Sequence, residues 1–102
     1  MNEDVKYISY EEAISVYAKM IDASDGGFDG VRDEGGIRAA LEFVQNDMYY
    51  PNFSDKLCSL VYKLCSGHYF NDGNKRIALT LGTYFLHKNS YFWQATIFRE
   101  CR

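Results

Sequence analysis

Two apolar stripes at helical spacing flank the stretch "HYFNDGNKR", and this arrangement limits most strongly what the chain can fold into. Before it, Leu57, Leu60, Val61 and Leu64 recur at i, i+3, i+4 and i+7, which gives a helix one apolar face. Ser54 is placed to cap the start of that helix, and Ser66-Gly67 to end it. After it, Ile77, Leu81 and Phe85 are spaced by four, with Ala78 and Tyr84 beside them. That spacing predicts a helix from Asn74 to Lys88, stopped at Asn89.

Two more helices precede these. Ser9-Tyr10-Glu11-Glu12 reads as a capping box, in which the Ser9 hydroxyl and the Glu12 carboxylate each reach the other's backbone N–H. Ile14, Tyr17, Ala18 and Ile21 continue at helical spacing until "DASDGGFDG" ends the run. A second helix is predicted from about Glu34 to Asn46, with Asp33 as its cap and Ile37, Leu41 and Val44 on one face. Gly35 and Gly36 blur its start. "DMYYPNF", with the only proline, separates it from the Leu57 helix. The terminal "YFWQATIFRECR" is strand-like at Tyr91, Phe92 and Trp93, but a lone strand has little to pair with in a helical domain. The expected class is mostly α, as one domain over residues 1–102.

Composition removes several function classes. A net charge of −3 argues against a nonspecific nucleic-acid binder, which needs a basic face to neutralise phosphates. No apolar run approaches the roughly 20 residues of a membrane span, and the acidic "MNEDVKYISY" lacks the order of a signal peptide. A cytoplasmic location is expected. Cys58 and Cys65 stand roughly 10 Å apart along one helix, too far to pair, and no Cys/His cluster suggests zinc. Three reduced, structural thiols are expected.

The chemistry concentrates in the loop. A helix N-terminus carries partial positive charge and unpaired N–H donors, so Lys75 and Arg76 in a first turn are locally unfavourable. An anion at that point resolves the conflict. Gly73 permits close backbone approach, and Asn74, Lys75 and Arg76 add donors and charge, which is phosphate-binding chemistry. Asp72 is the acid nearest those phosphates, and magnesium is commonly held through one or two carboxylates plus phosphate oxygens. His68, at the end of the preceding helix, suits removal of a proton from a hydroxyl. Phe70 is a candidate apolar anchor that folds the loop beneath the site. The plainer reading is a common Asn-Asp-Gly turn, a structural histidine and a solvated basic face. Residue chemistry alone leaves the two readings balanced.

At these residues the sequence resembles the signature loop of Fic-fold proteins, and specifically their death-on-curing (Doc) toxin branch. Fic enzymes that transfer AMP usually read His-Pro-Phe-x-Asp/Glu-Gly-Asn-Gly-Arg-x-x-Arg. This chain has Tyr69 in place of the proline, Lys75 in place of the last glycine and Leu79 in place of the second arginine. Lys75 and the missing arginine are Doc-like, whereas Gly73 is Fic-like, since Doc toxins tend to carry alanine there. "YISYEEAISVY", "GGFDGVRDEGGIRAALEFVQ" and "ALTLGTYFLHKNSYFW" extend the resemblance over roughly residues 6–93.

The resemblance implies a Fic-type helical domain that binds ATP or another nucleoside triphosphate with magnesium. Doc toxins phosphorylate a threonine of elongation factor Tu, and a cognate antitoxin covers the nucleotide site. Carried over, His68 would be the base, Asp72 the magnesium-linked acid, and Gly73, Asn74, Lys75 and Arg76 the phosphate holders. Gly27, Phe28, Asp29 and Gly30 would belong to a short β-hairpin flap that takes the target peptide as an added strand. Two alternatives stand beside the kinase: an AMP-transferring enzyme, favoured only by Gly73, and a truncated, non-catalytic binding module. The second arises because Doc-like chains continue into a further helix or two past the equivalent of residue 93, whereas this sequence stops at Arg102. The expectation is then that the C-terminal helices are truncated, leaving an uncovered apolar patch.

Overall fold

The computed structural model describes residues 5–23 and 30–89. Four helices follow one another: α1 (Tyr10–Ala23), α2 (Glu34–Phe43), α3 (Phe53–Ser66) and α4 (Asn74–Lys88). The strand-like reading of Tyr91–Trp93 lies outside these residues, as do Gly27, Phe28 and Asp29 of the expected flap.

α3 and α4 pack on each other, α1 lies against α4, and α2 against α3. Leu57, Leu60 and Leu64 of α3 meet Ile77, Leu81 and Phe85 of α4 in one core, and each is at most 1% exposed. Burying a side chain of this size stabilises by roughly 1.5–3 kcal/mol, so the α3–α4 pair is the most heavily supported part of the molecule. α1 contributes Ala13, Tyr17 and Ile21, and α2 contributes Ile37, Ala40 and Leu41.

Local chemistry sets the helix ends. The Ser9 N–H donates to the Glu12 carboxylate at 3.0 Å and the Glu12 N–H to the Ser9 hydroxyl at 3.1 Å, completing the capping box. Asp33 caps α2 by accepting from the Gly36 N–H at 2.8 Å. α2 stops at Phe43, short of the expected Asn46. The Asn46 side chain instead accepts from Met48 and Tyr49 N–H groups, forming the kind of local turn asparagine favours over a helix interior. α3 is capped by Asn52 rather than Ser54: Asn52 is extended and accepts from the Asp55 N–H at 3.0 Å, while the Ser54 hydroxyl bonds to the Asn52 side chain.

Two polar groups fasten helices at their ends. Lys56, 2% exposed, donates to the Val44 carbonyl at 2.9 Å and to Asp47 at 2.7 Å. Burial is the largest single influence and opposes its charge, but hydrogen bonding and charge attraction from Asp47 and Tyr7 together outweigh it and hold its pKa above the ordinary value. Asn89, the stop of α4, accepts from the Lys6 N–H and donates to the Lys6 carbonyl, tying the segment before α1 to the end of α4. Cys65 is a free thiol, so it is not joined to Cys58, as the spacing of the two along α3 requires.

Candidate functional site

The loop from Gly67 to Gly73 carries the chain from α3 to α4, and the sequence at both ends forces a sharp path. His68 leaves α3 with φ +54, a left-handed conformation in which histidine is among the more tolerant residues. Gly73 enters α4 with φ +75, where any Cβ is strained, and no side chain caps the helix start. A Cβ at Gly73 would lie 3.1 Å from the Met20 methyl of α1, so glycine here serves the turn and its packing on α1.

Between these turns the loop is pinned from three directions. From below, Phe70 is fully buried and stacks on Tyr17 of α1 with ring centroids 4.2 Å apart. From α4, the Asn74 side chain accepts the Phe70 N–H and donates to the Phe70 carbonyl, both at 3.0 Å. From the side, the segment before α2 pairs with the loop. Val31 and Phe70 form an antiparallel bridge, the Tyr69 carbonyl accepts from Arg32 and Asp33, and the Asn71 N–H donates to the Gly30 carbonyl. Of the expected flap residues only Gly30 is described, and it is bonded directly to the loop.

Tyr69 explains the two glycines that blurred the start of α2. A Cβ on Gly36 would lie 2.5 Å from the Tyr69 ring, and one on Gly67 would overlap the same ring. The ring occupies a slot that only glycines on α2 and at the end of α3 leave open.

With Phe70 drawn inward, the polar residues of the loop face outward together. His68, Asp72, Gly73, Asn74, Lys75 and Arg76 line one open pocket of about 570 Å³, walled also by Cys65, Asn71 and Leu79. His68, Asp72, Lys75 and Arg76 are exposed. No acidic residue occupies the first turn of α4, so the helix dipole, the backbone N–H groups of Asn74, Lys75 and Arg76, and two cations converge where an anion would sit. The Asn74 side chain is committed to Phe70, which leaves its main-chain N–H for a ligand.

The donor set fits magnesium in one way only. One Asp72 carboxylate oxygen accepts from the Gly73 N–H at 2.8 Å. Among the described residues no three His, Cys, Asp or Glu side chains gather as a metal site. A divalent ion at Asp72 would therefore complete its shell with phosphate oxygens and water, as magnesium does.

Three contributors to this geometry escape a reading of spacing. Tyr17 sits in the apolar stripe of α1, yet its ring and hydroxyl meet the loop: the hydroxyl donates to the Asp72 carbonyl at 3.0 Å. Its phenol was the available signal, because a buried tyrosine hydroxyl needs a partner. The Asn74 clasp and the Tyr69 slot have no local signature.

The family model described as Fic/DOC family matches residues 7–86, most of the chain and all of the pocket. The chain belongs to the Fic/DOC family. It is 35% identical over 88 residues to "Protein kinase doc" of Escherichia phage P1, a match covering 83% of this chain and 69% of the phage protein. It is 40% identical over 68 residues to "Toxin Doc" of Mycolicibacterium smegmatis, covering 63% of this chain and 52% of that protein. The chain thus spans about two thirds and one half, respectively, of these two Doc relatives.

Proposed function

We propose that this chain is a Doc-type protein kinase, transferring the γ-phosphate of ATP or another nucleoside triphosphate to a threonine or serine hydroxyl of a translation factor such as elongation factor Tu. The observation that carries this reading is the convergence of an exposed imidazole, a carboxylate and an uncapped cationic helix start in one pocket. His68 accepts the proton of the target hydroxyl as its oxygen bonds to the γ-phosphorus. The bond from that phosphorus to the β–γ bridging oxygen breaks, and the electron pair leaves with the nucleoside diphosphate. Lys75, Arg76 and the first N–H groups of α4 hold the phosphates in line and offset their charge, which is most of what phosphoryl transfer asks of a protein. Asp72 would hold magnesium, whose chemistry here is to neutralise the phosphate oxygens.

Two residues favour γ-phosphate transfer over AMP transfer. Lys75 stands in the first turn of α4, and Leu79, 55% exposed, presents an apolar side chain to the pocket where AMP-transferring relatives carry an arginine. Gly73 no longer favours the alternative, because its positive φ accounts for it in either reaction. The Gly30–Asp33 segment, bonded to the loop, supports docking of the target as an added strand beside His68. Inhibition by an antitoxin that covers the pocket follows from the same reading. Among the described residues no helix is long and apolar enough to cross a membrane.

The test supplies ATP labelled at either the α- or the γ-phosphate, with magnesium and purified elongation factor Tu. Label from the γ-position alone supports the kinase, and label from the α-position overturns it in favour of AMP transfer. With a folded protein, no transfer from either position favours the non-catalytic reading. His68→Ala should abolish transfer with only a small fall in the unfolding midpoint, because the side chain is exposed but alanine tolerates the left-handed backbone less well than histidine.

A further inference from the structure

We infer that Tyr17 of α1 is a positioning residue for the metal-binding carboxylate, an inference that rests on the role proposed for Asp72. Tyr17 is 3% exposed and 55 residues away from Asp72 in sequence, yet its hydroxyl donates to the Asp72 carbonyl at 3.0 Å. That carbonyl belongs to the peptide joining Asp72 to Gly73. Fixing the carbonyl fixes the plane of the peptide, and so the direction of the Gly73 N–H at its other end. The Gly73 N–H in turn donates to an Asp72 carboxylate oxygen at 2.8 Å. The phenol therefore sets the peptide, the peptide orients the carboxylate, and the other carboxylate oxygen remains for a cation.

Packing reinforces this chain of contacts. The Tyr17 ring stacks on buried Phe70 at 4.2 Å, so α1 holds the loop at two points, Phe70 and Asp72, on either side of Asn71. Gly73 is the residue least able to hold its own direction, because glycine restricts φ less than any other. An external hold on the peptide beside it is where positioning gains most. Tyr17 does not line the pocket and acts on it through the loop, at Phe70 and Asp72.

Tyr17→Phe keeps the stacked ring and removes only the hydroxyl, and the full chain serves for the test. Amide hydrogen exchange of Gly73 is measured in the ligand-free protein, and the affinity for a non-hydrolysable ATP analogue is measured by calorimetry with and without manganese. Tyr84→Phe is the control, since it also removes one inter-helix hydroxyl bond, to Glu12, far from the loop in sequence. The expected result is faster exchange at Gly73 and a roughly fivefold smaller gain in affinity from manganese, the factor that one hydrogen bond of ordinary net worth represents. Metal-free binding should be unchanged, and Tyr84→Phe should show neither effect. Combined with Asp72→Asn, Tyr17→Phe should have no further effect on the manganese gain. Unchanged Gly73 exchange overturns the inference, as does a full manganese gain in Tyr17→Phe when Asp72→Asn abolishes it. If Asp72→Asn leaves the gain intact, the metal role of Asp72 fails instead, and Gly73 exchange still decides whether Tyr17 holds this peptide.

Discussion

Replacing Asn74 separates its two roles, clasp and ligand contact, and the structure sets the magnitude. Its side chain makes two hydrogen bonds to one residue, to the Phe70 N–H and from its own amide to the Phe70 carbonyl, both at 3.0 Å and partly buried. Asn74→Ala removes both and leaves the two Phe70 backbone groups without these partners. At about 1 kcal/mol net per bond, plus the cost of incompletely solvated groups, the loss is about 2–3 kcal/mol. For a domain of this size that lowers Tm by roughly 10–20 °C. Asn74→Asp keeps the acceptor but turns a carboxylate oxygen toward the Phe70 carbonyl. Its charge at the start of α4 recovers part of the loss through the helix dipole, so the net cost is about 1 kcal/mol. The same charge repels phosphate, so nucleotide binding should fail in a protein that is still folded. Urea unfolding followed by circular dichroism at neutral pH, paired with nucleotide titration, measures both effects. An Asn74→Ala midpoint equal to the wild type would refute the clasp. An Asn74→Asp protein that binds nucleotide normally would refute an anion site at the start of α4.

Further outcomes follow from other contacts. The Glu12 carboxylate is drawn from its ordinary 4.5 to about 2, first by hydrogen bonding to Lys88 and then to Tyr84 and the Ser9 backbone. Because the folded value is depressed, this stabilisation is complete above about pH 4.5 and is lost as pH falls toward 2. Its ceiling is about 3 kcal/mol, and at a carboxylate 30% exposed, solvent screening reduces it to about 1–2 kcal/mol. Glu12→Gln should flatten the urea midpoint between pH 5 and pH 2.5 by that amount, and an unchanged acid profile would count against the cluster. Gly73→Ala should cost about 1–2 kcal/mol through its left-handed backbone, with the Met20 methyl yielding to the new Cβ. A neutral effect on the urea midpoint would show that the turn has relaxed.

What the sequence revealed follows from the distance over which each feature is decided. α4 begins and ends where its periodicity places it, because Gly73, the apolar spacing and Asn89 all lie within or beside it. The Ser9–Glu12 box and the Asp33 cap are equally local, and both form. Competition among neighbouring polar residues is harder to read. Asn52 outcompetes Ser54, and Asn46 leaves the helix for a turn, although each alternative is locally acceptable. The loop's polar residues were legible as one cluster, and the structure gathers His68 and Asp72–Arg76 around one pocket. What holds them there was not legible, since Tyr17 reaches Asp72 across 55 positions and Tyr69 lies between glycines from different helices. Such contacts exist only after the helices dock, and helical periodicity carries no information about them.

The most direct measurement of the central claim is the intact mass of elongation factor Tu after incubation with this protein, ATP and magnesium. The account predicts the addition of one phosphoryl group, absent when His68→Ala replaces the wild type. Addition of one nucleotidyl group, or an unchanged mass in the presence of folded protein, would contradict it.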